Sequence, residues 1–160
     1  VTDPSSDGTF LKAEVDNRGS IETGTSLQFF KSGAVHRNSG TISGVRFVVA
    51  SDSMSTQTFV NSGTIGTTYF QLDHTTYTQD VGSVITVTEQ IYWINVIATL
   101  AADFSNPAAS FVITASTVNG RPHTLTNPAG HFLNALNSTF NLPVNNQGML
   151  VDQGGNHFNG

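Results

Sequence analysis

The chain has 160 residues and carries 6 Lys plus Arg against 11 Asp plus Glu, for a net charge of −5 and a charged fraction of 11%, where soluble domains are typically about 25% charged. Neutral polar residues and glycine fill the gap: 21 Thr, 16 Ser, 14 Asn and 15 Gly occupy 66 positions. Six scattered cations exclude the concentrated basic face that nucleic acid or an anionic membrane surface requires, and zero cysteines exclude disulfides, thiolate zinc sites and cysteine nucleophiles.

The N-terminus, Val1-Thr2-Asp3-Pro4, has neither the basic nor the apolar part of a signal peptide, as in a chain already processed. Phe10–Val15 and Leu27–Phe30 are weak strand signals. Val45–Ala50 and Thr67–Leu72 are stronger, each β-branched or aromatic with one apolar face. Val84–Thr88 leads into Ile91–Leu100, whose even positions Tyr92, Ile94, Val96, Ala98 and Leu100 are all apolar, and this stretch reads as one central core strand. Phe111–Val118 follows as its partner, and Asn119-Gly120 is the dipeptide of a tight turn. Asn127–Asn137 reads as a short helix near 128–137. Asn127 would be its cap and Pro128 its first residue, with Phe132, Leu133, Leu136 and Phe140 on one face. Leu142–Asp152 is a last strand or an extended arm, and the tail 153–160 has no evident partner within the chain.

Turn signals in the first half recur about every 8 to 13 residues, as in an all-β sandwich or barrel. The expectation is therefore a single all-β domain over 1–160, a β-sandwich or jelly roll with at most the one helix, and extended segments at 1–8 and 152–160. A core is affordable, because 38% of the residues are hydrophobic and 11 are Phe. No apolar run approaches the roughly 18 residues of a membrane span, so membrane insertion is not expected.

The pentapeptide Asn-Ser-Gly-Thr-Ile occurs at Asn38–Ile42 and again at Asn61–Ile65. Two copies are too few for a solenoid, which needs at least three repeats. Both read as one local device, a Ser-Gly turn feeding a Thr-Ile strand start.

Chemistry-bearing residues are sparse. The five histidines show no HxH, HxxxH or HExxH spacing, so no metal is expected. Asp52, Asp73 and Asp80 do not form a calcium loop. No serine sits in a nucleophile elbow, no glycine-rich phosphate loop is present, and Glu14, Glu22 and Glu89 are too dispersed to pair. The chain is expected to be no enzyme and to need no cofactor. Sugar sites use exposed aromatics beside Asn, Asp and backbone donors, for which Tyr69, Tyr77, Tyr92 and Trp93 are the available aromatics. Tyr92 and Trp93 read as core or interface, while Tyr77, flanked by threonines, reads as exposed. The ligand-binding candidates are thus Tyr77 with Asp73 and His74, the latter two at a strand end on a solvated loop. One sequon, Asn137-Ser138-Thr139, matters only in a eukaryotic secretory pathway.

Composition and turn rhythm resemble those of virion surface proteins, phage fibre heads and fimbrial or adhesin subunits, a likeness resting on no motif. Neutral hydroxyl-rich faces pack against copies of themselves without the cost of burying charge. The expected role is a non-enzymatic, self-associating structural subunit of an extracellular or virion-surface assembly such as a capsid, spike, fibre or fimbria. A lectin-like module binding a surface glycan is the alternative.

Overall fold

The structure, a computed structural model, describes residues 8–51 and 55–160. Among them every regular element is a β-strand and none is a helix. Sheet A contains, side by side, β1 (Gly8–Leu11), β3 (Ser20–Phe29), β5 (Thr41–Ala50), β7 (Thr64–Asp73), β9 (Val84–Ile94), β12 (Ser110–Thr114), β15 (Phe132–Leu136) and β18 (Met149–Asp152). Sheet B contains β2 (Asp16–Asn17), β4 (Val35–Asn38), β6 (Gln57–Asn61), β8 (Thr75–Gln79), β10 (Ile97–Leu100), β13 (Thr117–Asn119), β16 (Thr139–Asn141) and β19 (His157–Phe158). A short sheet C of β11 (Phe104–Ser105), β14 (Leu125–Asn127) and β17 (Val144–Asn146) adds a third face in the C-terminal half.

Every pairing is parallel, and each strand inside a sheet pairs with its counterparts one coil earlier and one coil later. Phe29, Val49, Leu72, Trp93, Ile113, Ala135 and Asp152 lie side by side, one per coil, so a coil takes 17 to 23 residues. The molecule is a parallel β-solenoid of about seven turns, which overturns the expected sandwich or jelly roll. Sandwiches are built from antiparallel neighbours joined by hairpins. Here the turn signals mark corners, and the chain crosses another face before returning to pair in parallel.

The core is the stack of inward rows. Phe47 and Phe70 are neighbours across β5 and β7, with ring centroids 5.6 Å apart and ring planes nearly parallel at 4°. The aromatic chain runs from Phe29 through Phe59, Tyr77 and Trp93 to Phe111, by edge contacts except for the stacked pair Phe59 and Tyr77. Burial of each such side chain contributes about 1.5–3 kcal/mol. No coil could bury its own apolar face, so stability comes from neighbours.

Corners explain the misread elements. Between sheets A and B the chain turns on one left-handed residue per coil: His74, Asn95, Ala115 and Asn137, with φ of 47° to 53°. The next residue buries its side chain in three of the four coils as a hydroxyl, and the hydroxyls of Thr75, Ser116 and Ser138 donate back to the carbonyls of Asp73, Thr114 and Leu136. Ser116 Oγ also accepts from the Val96 amide of the preceding coil, and Ser138 Oγ from the Ser116 amide. Amides that a sharp corner would orphan are thus satisfied across coils. Because of the Asn95 corner, Ile91–Leu100 is two strands with opposite phase. Ile91 and Trp93 point inward before the corner, and Val96, Ala98 and Leu100 after it.

The expected helix at 128–137 is β15 preceded by a turn. Leu133 and Ala135 are buried while Phe132 is exposed, a period of two rather than 3.6. Asn127 is no cap, since its side-chain amide donates to Asn146 Oδ1 in the next coil at 2.8 Å. Nor does Asn119-Gly120 reverse the chain: Asn119 ends β13 and the chain passes to sheet C. The C-terminal tail does find a partner within the chain, because β19 pairs with β16 and Phe158 stacks on Phe140 at 4.8 Å. Residues 1–7, including most of the N-terminal segment 1–8, and Asp52 lie outside the described residues.

The repeated pentapeptide is the solenoid period. Asn38 and Asn61 pair in adjacent strands, as do Thr41 with Thr64 and Ile42 with Ile65. A degenerate third copy, Asn17-Arg18-Gly19-Ser20-Ile21, lies one coil earlier in the same register. Asn17 Nδ2 donates to Asn38 Oδ1 at 2.7 Å and Asn38 Nδ2 to Asn61 Oδ1 at 2.8 Å, a buried amide ladder along the axis. Asn106, Asn127 and Asn146 form a second ladder.

Candidate functional site

Strands β3, β5, β7 and β9 of sheet A are each ten or eleven residues long and bend in the middle. The bend is made by extra residues: Gly24 and Thr25 of β3 stand opposite Val45, and Thr88 and Glu89 of β9 opposite Thr68. Bulges of this kind increase local twist and re-aim side chains. On the outer surface they leave a groove of about 440 Å³ crossing β3, β5, β7 and β9.

Thr25 and Val45 line the groove at the bend. The row just after it, Ser26, Arg46, Tyr69 and Gln90, forms the middle, and Gln71 and Tyr92 from the next outward row complete it. Phe47, Phe70 and Ile91 alternate with these residues and point into the core, so the groove's position is fixed by the packing behind it. Arg46 donates to Gln71 Oε1 at 2.7 Å. The Tyr69 hydroxyl donates to Glu89, and that carboxylate, first through the hydrogen bond and then through its charge, raises the Tyr69 phenol above its ordinary value. Ser26 is 8% exposed, and its hydroxyl has no hydrogen-bond partner among the described residues. The groove thus offers two half-buried tyrosines, one cation and two carboxamides on a rigid sheet.

The sequence-derived candidates do not form one surface. Tyr77 is fully buried in the aromatic stack between Phe59 and Trp93, and burial pushes its hydroxyl pKa far up. Its threonine neighbours face outward because β8 alternates, which puts Tyr77 on the inward phase. It cannot contact an external ligand from there. Asp73 ends β7 and His74 is the left-handed corner residue, so the strand does end between them and His74 Nδ1 lies 2.7 Å from Asp73 Oδ1. Trp93 is core; Tyr92, grouped with it in the sequence, faces outward into the groove.

Arg46, Gln71 and Gln90 escaped the sequence reading, although a signal for two of them was present. Aligning the two pentapeptides puts Arg46 beside Tyr69 and Val48 beside Gln71, which is the observed register.

Among the described residues no three His, Asp or Glu side chains are placed to hold a metal ion, and no helix is long and apolar enough to cross a membrane. Comparison with known protein families, with curated protein sequences and with solved structures gives no match.

Proposed function

We propose that this chain is a non-enzymatic structural subunit of an extracellular or virion-surface assembly, a rod segment that self-associates end to end through its coil faces. The observation that carries the reading is the open C-terminal face. β18 and β19 each pair on one side only, and Met149, Leu150, Val151 and Phe158 are 36–55% exposed there. Two of them continue rows that are buried one coil earlier, Leu150 beside Leu133 and Phe158 beside Phe140, while Met149 and Val151 lie beside the outward-facing Phe132 and Asn134. An unpaired edge with apolar residues and no lysine in its strands is a template for another strand. An edge of this kind fits a further coil of the same geometry, because coil-on-coil packing is the contact that builds the molecule itself. The hydroxyl-rich, weakly charged surface supports the same setting, since little charge is desolvated when copies meet.

Light scattering across a concentration series, with negative-stain imaging, tests the reading. The expected result is rods that lengthen with concentration, and their loss in a double variant Leu150→Lys/Val151→Lys that charges the open face. A wild-type chain that stays monomeric at every concentration overturns it.

A further inference from the structure

We propose that the groove along the bend of sheet A is a binding site for a neutral oligosaccharide. The site is independent of end-to-end association, since it lies on the flank of the rod and uses none of the residues of the open C-terminal face.

The shape comes first. The groove crosses four adjacent strands, so it runs parallel to the rod axis for about 14 Å, three strand spacings of roughly 4.8 Å each. Its volume of about 440 Å³ lies within the range of small-molecule sites.

The chemistry selects the ligand class. Tyr69 and Tyr92 sit on neighbouring strands, two residues apart in register. They supply the aromatic surface against which the C–H face of a sugar ring packs. The polar groups between them offer both donors and acceptors: Arg46 is steadied by Gln71 but keeps further N–H groups, and the Gln71 and Gln90 amides keep N–H donors. A polyhydroxylated ring presents donors and acceptors in the same density. Tyr69 is anchored through its hydroxyl to Glu89, and all the lining side chains rise from interior strands of a paired sheet. Little ordering remains to be done when a ligand arrives.

Charge and backbone exclude the competitors. Among the described residues Arg46 is the one charged residue lining the groove and is bonded to Gln71, and the chain carries a net charge of −5, which disfavours an acidic polymer. An extended peptide binds a sheet by adding to a free edge; β5, β7 and β9 have none here because each is paired on both sides, and β3 is covered by β1 over Ser26–Phe29.

The probes are neutral hexaoses (cello-, malto-, manno- and chitohexaose) with polygalacturonate as the acidic comparison, measured by calorimetry with the intact chain. At least one neutral hexaose should bind, with an affinity that barely changes between low and high salt. Tyr69→Ala and Tyr92→Ala should each weaken binding about tenfold, the order expected for one lost aromatic packing contact. Tyr69→Phe, which keeps the ring, should retain most of it. These side chains face outward, so circular dichroism should show folded variants; Gln90→Ala, a smaller change, serves where Tyr69→Ala does not fold and should also weaken binding. Absence of binding to every neutral hexaose, preference for polygalacturonate, or wild-type affinity in both folded tyrosine-to-alanine variants overturns the proposal.

Discussion

Replacing Asn38 by alanine removes the middle rung of the N-terminal amide ladder. Asn38 is 1% exposed. Its side chain accepts from Asn17 at 2.7 Å and donates to Asn61 Oδ1 at 2.8 Å and to the Thr64 carbonyl at 3.2 Å. Alanine supplies none of these. Asn17 retains a bond to the Thr41 carbonyl at 3.0 Å, but Asn61 Oδ1 loses its donor in a buried place. Two lost bonds cost about 1 kcal/mol net each, and the third leaves a buried acceptor unsatisfied at about 1–3 kcal/mol, so Asn38→Ala should destabilise by roughly 3–5 kcal/mol. Asn159→Ala breaks one exposed rung, a 2.9 Å bond to Asn141, and should cost about 0.5 kcal/mol or less. Asn38→Asp sharpens the test: its second carboxylate oxygen would face Asn61 Oδ1 as acceptor against acceptor. At neutral pH it should be worse than alanine, and the gap between the two variants should close on acidification, when the protonated acid can donate. Urea unfolding followed by far-ultraviolet circular dichroism and by fluorescence of Trp93, the single tryptophan, measures all three. If Asn38→Ala is no more costly than Asn159→Ala, the ladder does not hold the coils together.

Three further outcomes follow from local geometry. His36 is fully buried against Phe29 and bonded through Nε2 to Gln57 at 3.0 Å; burial, ahead of the Gln57 bond and the opposing charges of Glu14 and Lys31, lowers its pKa. The unfolded chain therefore binds more protons below the ordinary value of about 6.5, so stability should be full above that pH and fall as pH drops toward the folded value, a slope that His36→Phe should flatten in pH-dependent unfolding. At Gly63 a Cβ would collide with the Gly40 carbonyl oxygen, whereas at Gly66 nothing lies within 4 Å; thermal unfolding should show Gly63→Ala destabilised by about 2–4 kcal/mol and Gly66→Ala within about 1 kcal/mol of wild type. Ala115 is exposed with φ of 48°, a conformation costing roughly 1–2 kcal/mol for a residue with a Cβ, so Ala115→Gly should raise stability by up to about 1 kcal/mol once the glycine's unfolded freedom is offset.

The strands and their all-β character are legible in the sequence because they depend on local alternation. Val45–Ala50 and Thr67–Leu72 fall inside β5 and β7. What local alternation does not reveal is which face a segment shows after a corner: Ile91–Leu100 looks uniform because the phase reverses at Asn95, where one left-handed residue replaces a loop. Coil stacking asks only that a row be apolar, so Phe29, Val49, Leu72 and Trp93 share a row without sharing an identity. Identity repeats in an unbroken run only around the strictest geometry, the Asn38 and Asn61 rungs and Gly40 and Gly63, where backbones approach too closely for a side chain. Those few positions are the pentapeptide, and a coil length varying from 17 to 23 residues hides the rest. The groove followed the same rule: Tyr69 and Tyr92 are visible as aromatics, but their common surface depends on register. Tyr77 failed because flanking threonines mark alternation, not exposure.

The central claim is that successive coils stack in register along one axis, and spin-label distances read it directly in a chain with no native cysteine. Val35, Thr58, Thr76, Ile97, Thr117, Thr139 and His157 form one row of sheet B. Labels at Thr58→Cys and Thr139→Cys are four coil steps apart, and labels at Val35→Cys and His157→Cys six, so the backbone separations should be about 19 Å and about 29 Å at roughly 4.8 Å per step. Distances that grow by about 10 Å from the first pair to the second agree with the solenoid; equal distances, or a shorter one for the second pair, contradict it.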